Sequence, residues 1–174
     1  MDPAPRWFAV FLALVIAQRI LELAISRRNA RSSFARGGLE YGTAHFPWLV
    51  AVHVLFVAGM AGEVVLLGTR PGVLWPLWLG LWLAAQALRY AAMRALGPRW
   101  NVRIIVVPGL PRVRSGPYRF IDHPNYAAVV TELLVGPLVF GAWRTALVVS
   151  VLNAMALRTR IRAESAALRQ AESG

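Results

Sequence analysis

Apolar residues run almost unbroken through four stretches of the chain, 7–25, 47–67, 73–93 and 127–157, and charged residues crowd the segments between them. A bilayer's hydrocarbon core is about 30 Å thick and takes about 20 helical residues. The first three stretches therefore each predict one membrane-spanning helix. The fourth would measure about 46 Å as one straight helix, too long for the core without strong tilt. Its middle reads Gly136-Pro137-Leu138-Val139-Phe140-Gly141-Ala142-Trp143-Arg144. Proline removes a helix hydrogen bond, and the glycines and Arg144 favour a turn. A helical hairpin is predicted, with arms near 127–140 and 143–157, each about 21 Å long. In the first stretch Arg19 and Glu22 are three residues apart and face one side of the helix, where they can pair.

Charge supports the same division. Arg27, Arg28, Arg31 and Arg36 fall in 26–46, six further arginines in 94–122, and Arg158, Arg160, Arg162 and Arg169 in the tail, whereas 68–72 has only Arg70. Basic loops stay in the cytoplasm, which puts the N-terminus outside. The tail and 94–122 share a side only if 127–157 turns back. The expected fold is an all-α integral membrane protein of five membrane helices, the last two a hairpin, with a short cytoplasmic segment between helices 3 and 4, in a single domain over 1–174. Gln18, Arg19 and Glu22 interrupt the first apolar run and no small-x-small site follows, so it is expected to be a retained span and not a cleaved signal. Within 94–125, Ile104-Ile105-Val106-Val107 predicts a short strand or a packed loop.

Composition narrows the chemistry. The chain is 57% hydrophobic, with a mean hydropathy of +0.52, above the roughly 45–50% of soluble domains. It has no cysteine, which excludes disulfides, thiolate nucleophiles and cysteine metal sites. His45, His53 and His123 lack metal-ligand spacing. The net charge of +11 comes entirely from arginine, without lysine. Because these arginines flank apolar segments, they signal topology and contact with anionic lipids, not nucleic acid. Arginine-only, alanine-rich usage points to a GC-rich bacterial genome. No Gly-x-Gly-x-x-Gly or Walker loop is present, so a nucleotide-like cofactor needs another kind of site.

Two polar clusters bracket the hairpin. Gly116 to Tyr126 holds Tyr118, Arg119, Asp122, His123, Asn125 and Tyr126, and Pro124 suits the first turn of a helix starting near Asn125. Helix-start N–H groups, arginines and tyrosine hydroxyls together can bind an anion, and a neutral histidine can meet adenine or carry a proton. The plainer reading is a helix start with two interfacial tyrosines. At the far end, Arg160 and Glu164 are four residues apart on one helix face. Inside the spans lie His53, Glu63, Gln86, Arg89, Glu132 and Asn153, and intramembrane ionisable groups are functional candidates. Glu63 and Arg89 fall near span ends, where they are expected to face water. Glu132, about two turns into the hairpin, is the strongest of the set.

In order and spacing, Gly116-Pro117-Tyr118, His123-Pro124-Asn125-Tyr126 and Arg160-x-x-x-Glu164 beyond a hairpin resemble the isoprenylcysteine carboxyl methyltransferase family over roughly 94–168. Trp100-Asn101-Val102-Arg103 and the small size are most similar to its bacterial branch found beside type III polyketide synthases, which O-methylates alkylpyrones and long-chain phenolic lipids. The resemblance implies an S-adenosylmethionine-dependent methyltransferase of the bacterial cytoplasmic membrane, with a lipophilic small-molecule substrate and membrane lipids as partners. It implies cofactor contacts from Arg103, Leu110, Pro111, Arg112, Val113, Tyr118, His123, Pro124, Asn125 and Tyr126, and puts Arg160 and Glu164 on the substrate side. The family's second glutamate is Ser165 here, so a paired carboxylate is missing. For a phenol or enol acceptor Glu164 is the first candidate base, with Glu132 and His123 behind it, and Arg160 can hold the acceptor oxygen as an anion. Two other activities fit the same residues: methylation of a prenylcysteine carboxylate, which needs no base, and NADPH-dependent reduction, because membrane sterol reductases share a related C-terminal cofactor region. A non-enzymatic membrane scaffold is the third class.

Overall fold

Five α-helices carry the architecture in the computed structural model, which describes residues 6–173: α1 (Arg6–Phe34), α2 (Phe46–Val65), α3 (Trp75–Leu96), α4 (Pro124–Leu138) and α5 (Trp143–Ser173). α4 packs on α3 and α5, and α5 packs on α2. Aromatic and branched side chains fill the centre: Phe8 and Phe11 of α1, Phe56 and Met60 of α2, Trp82 of α3, Leu133 of α4, and Phe140. The Phe140 ring meets Phe8 and Phe11 edge-on, at centroid distances of 4.8 and 5.1 Å. Outward, Leu14, Val54, Leu83, Val130 and Met155 present apolar surface from all five helices. Two segments, Arg6–Phe34 and Thr43–Val65, are long and apolar enough to cross a membrane by length and composition.

Four residues, 139–142, link α4 to α5. Amide N–H groups of Phe140 and Ala142 donate to the Pro137 carbonyl, both at 3.0 Å, and that of Gly141 donates to Leu138. Gly141 is required here: its φ is +72°, and a Cβ would run into the carbonyl oxygen of Arg70. Pro137 lies inside α4 and not in the turn itself.

Two helices outrun the apolar stretches that predict them. α1 continues to Phe34, so Arg27, Arg28 and Arg31 lie on exposed helix, not in a loop. Its buried face there is Ser26, Asn29, Ala30 and Ser33, small and polar residues that carry no hydropathy signal. They are buried by hydrogen bonding: Asn29 Nδ2 donates to the Trp100 carbonyl at 2.9 Å, and the Val102 N–H donates to Ser26 Oγ at 3.1 Å. α5 likewise runs past residue 157, turning Leu157, Arg160 and Ala167 inward.

The fold is mostly helical, but a two-stranded antiparallel sheet qualifies the all-α expectation. β1 (Leu39–Tyr41) pairs with β2 (Ile104–Val106), with Glu40 opposite Ile105. Residues 104–106 thus form a strand whose partner comes from the first half of the chain.

Buried polar groups are neutralised in pairs. Arg19 of α1 contacts Glu22 and Glu132, each at 2.8 Å, and Arg89 of α3 contacts Glu132 and, at 3.4 Å, Glu22. Gln18 donates to Glu22 at 3.0 Å and to Gln86 at 2.6 Å. Arg89 is 2% exposed and Glu63 is 6% exposed, which corrects the expectation that both face water. Glu63 instead accepts the Thr145 backbone N–H at the start of α5. A carboxylate is favoured there by the unpaired helix-start amides.

Candidate functional site

A cavity of about 630 Å³ opens between the start of α4, the second half of α5, and the irregular segment 99–119. Each wall is positioned locally. The 97–102 segment is tied to α1 through Ser26 and Asn29. Arg99 reaches over to the Pro111 carbonyl at 2.6 Å and so braces the stretch around Leu110–Val113. A 3-10 turn at Gly116–Arg119 carries Tyr118. Pro124, buried at the first position of α4, sets the direction in which His123, Asn125 and Tyr126 leave the backbone.

α4 and α5 meet at this cavity through one continuous chain of contacts. Arg160 Nε donates to the Tyr126 hydroxyl at 2.7 Å. That hydroxyl donates in turn to Glu164 Oε2. His123 Nδ1 stands 3.6 Å from the same carboxylate oxygen, and the His123 ring stacks on Tyr126 with centroids 5.1 Å apart. The Arg160 guanidinium also lies over the Tyr126 ring, at 5.4 Å. Tyr126 is 9% and Arg160 7% exposed, whereas the Glu164 side chain is 29% exposed and reaches the open space. Burial and then the Glu164 charge push the Tyr118 phenol above its ordinary range, so Tyr118 stays a neutral hydroxyl. His45, in the 3-10 turn Thr43–His45, is pushed below the ordinary histidine range by burial and then by the Arg160 charge.

Of the residues singled out in the sequence, Arg103, Leu110, Pro111, Arg112, Val113, Tyr118, His123, Asn125, Tyr126, Arg160 and Glu164 line this one cavity. Pro124 and Glu132 do not. Pro124 is packed behind its neighbours, and Glu132 is committed to Arg19 and Arg89 inside the bundle. Arg103 is held by Glu40 at 2.8 Å and lies over the Phe34 ring, so its charge is already answered by the first half of the chain. Ser165, standing where the family's motif has a second glutamate, also lines the cavity.

The cavity takes further residues that no motif marked, Ser33, Leu96 and Arg99 among them. One sequence signal bears on the sheet that closes this side. Leu39-Glu40-Tyr41 alternates between Gly37-Gly38 and Gly42, the pattern of a very short strand, and 104–107 is the apolar run available to pair with it.

Comparison with known proteins bears on the same region. The profile of the isoprenylcysteine carboxyl methyltransferase (ICMT) family matches residues 78–170. The chain is 39% identical over 163 residues to "Uncharacterized protein YpbQ" of Bacillus subtilis (strain 168), covering 94% of this chain and 97% of that protein. It is 27% identical over 160 residues to an "Uncharacterized protein" of Haemophilus influenzae, covering 91% and 93%. No solved structure matches the chain with significance.

Proposed function

The chain belongs to the isoprenylcysteine carboxyl methyltransferase (ICMT) family of membrane-bound methyltransferases, which use S-adenosylmethionine as methyl donor, and from that premise we propose that it O-methylates a lipophilic acceptor such as an alkylpyrone or a long-chain phenol. The observation that carries the proposal is the Arg160–Tyr126–Glu164 hydrogen-bond chain lining the cavity.

The cavity suits the donor. A volume of about 630 Å³ is within the usual range for cofactor sites. Arg99, Arg112, Arg114 and Arg119 line it and match an amino-acid carboxylate, while Leu96 and Ile104 offer apolar surface. Asn125 Oδ1 is buried without a partner, an acceptor suited to a ligand donor. Cofactor contacts are assigned to Leu110–Val113, Tyr118, His123, Asn125 and Tyr126, with Pro124 setting their direction and Arg103 bracing the wall. When bound, the cofactor supplies an electrophilic methyl on a sulfonium.

The remaining chemistry belongs to the protein. Glu164 takes the acceptor's hydroxyl proton, and the Tyr126 hydroxyl and His123 hold its carboxylate in place. Arg160 balances the negative charge that forms and lowers the acceptor's pKa. Positioning acceptor and donor in line, away from water, supplies much of the rate. Glu132 is a positioning residue that holds α4 to α1 and α3. The five helices are membrane segments, α4 and α5 form a hairpin, and the basic ends with the cavity at 94–168 face the cytoplasm. That arrangement lets a polar donor enter from water and a greasy acceptor from the bilayer.

The test is transfer of labelled methyl to long-chain phenols and alkylpyrones by the purified protein in lipid nanodiscs. Glu164→Gln should lower the rate about 10²-fold or more. An unchanged rate across about pH 6 to 9 eliminates the base role and favours an acceptor that is already a carboxylate. Stabilisation by NADPH and not by S-adenosylhomocysteine would overturn the methyltransferase reading.

A further inference from the structure

The cavity wall at 97–102 has no hydrogen-bonded ladder of its own. It is a 3-10 turn, Gly97–Arg99, followed by irregular chain up to β2, so its backbone groups must find partners elsewhere. α1 supplies them. Asn29 is buried, and its side-chain amide donates to the Trp100 carbonyl at 2.9 Å and to the Gly97 carbonyl at 3.4 Å. Three residues earlier, Ser26 Oγ accepts the Val102 N–H at 3.1 Å. The Asn101 amide, in the orientation that satisfies both of its ends, donates to the Ser26 carbonyl at 3.0 Å and accepts the Ala30 N–H at 3.2 Å. α1 lies outside the stretch 78–170 that the family profile matches, yet it holds this wall in place.

Arg99 sits in sequence between the two carbonyls that Asn29 holds. It lines the cavity, and its Nη1 donates to the Pro111 carbonyl at 2.6 Å. Leu110, Pro111, Arg112 and Val113 line the cavity in turn. Contacts therefore run from Asn29 through the backbone around Arg99 to Pro111 and the open space. Packing alone would be served by leucine at position 29. Burying an amide costs free energy unless it is bonded, and asparagine is a poor residue for a helix interior. What the amide adds is direction, because hydrogen bonds to its N–H groups fix where the two carbonyls stand. We propose that Asn29, with Ser26 beside it, is a positioning residue for the methyl donor: it fixes Arg99, and Arg99 fixes the Leu110–Val113 wall on which the donor rests. The inference rests on the methyltransferase reading, and it makes α1 a support of the donor site.

Binding and stability together test it, without turnover. Calorimetry on the full chain in nanodiscs would measure the affinity for S-adenosylhomocysteine, with Tm recorded for each variant. Asn29→Asp keeps the shape and sets a carboxylate against two carbonyls, so affinity should fall about tenfold or more. Ser26→Ala should weaken binding by about threefold to tenfold and serves as the second variant if Asn29→Asp does not fold. Arg99→Met removes the next link and should cost about tenfold. Because Asn29 acts through Arg99, the double variant should bind within about threefold of the weaker single one. A merely structural role predicts instead that affinity follows Tm. Gly141→Ala is the comparison: it strains the link at the other end of α4, and it should lower Tm while keeping affinity within about twofold. Unchanged affinity in the folded Asn29 and Ser26 variants overturns this inference alone. So do single losses that multiply to about 100-fold in the double variant, and so does an equal loss in Gly141→Ala. Failure of the wild-type protein to bind S-adenosylhomocysteine overturns the methyltransferase reading, and this inference with it.

Discussion

Glu132→Gln separates a structural carboxylate from a catalytic one. Glu132 is 1% exposed and answers two guanidinium groups, Arg19 and Arg89. Replacing it by its neutral isostere leaves both arginines to share Glu22, which lies 2.8 Å from Arg19 and 3.4 Å from Arg89. Breaking a buried ion pair from one side costs about 3–5 kcal/mol. The lower end applies here, because the Arg19 side chain is 19% exposed and keeps its Glu22 contact. About 3 kcal/mol in a chain of this size corresponds to a Tm lower by about 6–12 °C, measurable by thermal unfolding in detergent micelles. The double variant Arg89→Met with Glu132→Met removes one charge of each sign and keeps Arg19 with Glu22. It should recover about 1–3 kcal/mol relative to Glu132→Met alone, as coupled neighbours do. Below its Tm, Glu132→Gln should methylate at a rate within about tenfold of wild type, because only indirect positioning is disturbed. An unchanged Tm would refute the charge-balance reasoning. A rate loss beyond about 10²-fold with Tm intact would return Glu132 to the catalytic group.

Tyr126→Phe removes the hydroxyl between Arg160 and Glu164; kcat should fall about 10²-fold with a smaller change in KM, and a Tyr126→Phe rate near wild type with loss only in Tyr126→Ala would show that only packing matters. Gly141→Ala forces a side chain into a left-handed turn and against the Arg70 carbonyl, so about 2–3 kcal/mol should be lost, seen as a lower Tm with an unaltered pH profile of activity. His45 titrates below the ordinary histidine range in the folded protein because of burial and Arg160. As pH falls through about 6.5, the unfolded chain therefore takes up a proton that the folded one does not, and stability drops. His45→Gln should lose less Tm than wild type between about pH 7.5 and 5.5; parallel curves would show that His45 is not responsible.

The helical stretches were legible because hydropathy is a local sum. Gly141 could be read as a turn residue in the same way, and its φ is +72°, whereas Pro137, the other expected breaker, stays inside α4. The pairing of Arg19 with Glu22 followed from helix geometry alone, and they stand 2.8 Å apart. The 116–126 cluster and the Arg160–Glu164 pair could be picked out by type and spacing, whereas Arg103 and Leu110–Val113 came only from the family resemblance. What escaped was whatever depends on partners distant in sequence. The polar end of α1 looks like a loop until Asn29 meets Trp100, and the helix face that Arg160 shares with Glu164 has no evident partner until Arg160 meets Tyr126. β2 is ambiguous until β1 lies beside it. Glu132 resembles a catalytic group until Arg19, 113 residues earlier, is found against it. Hydropathy prices each residue separately against lipid or water. A buried charge or hydrogen-bonding group, by contrast, takes its cost and its role from whatever stands within about 3–4 Å of it, and only the folded chain determines those neighbours.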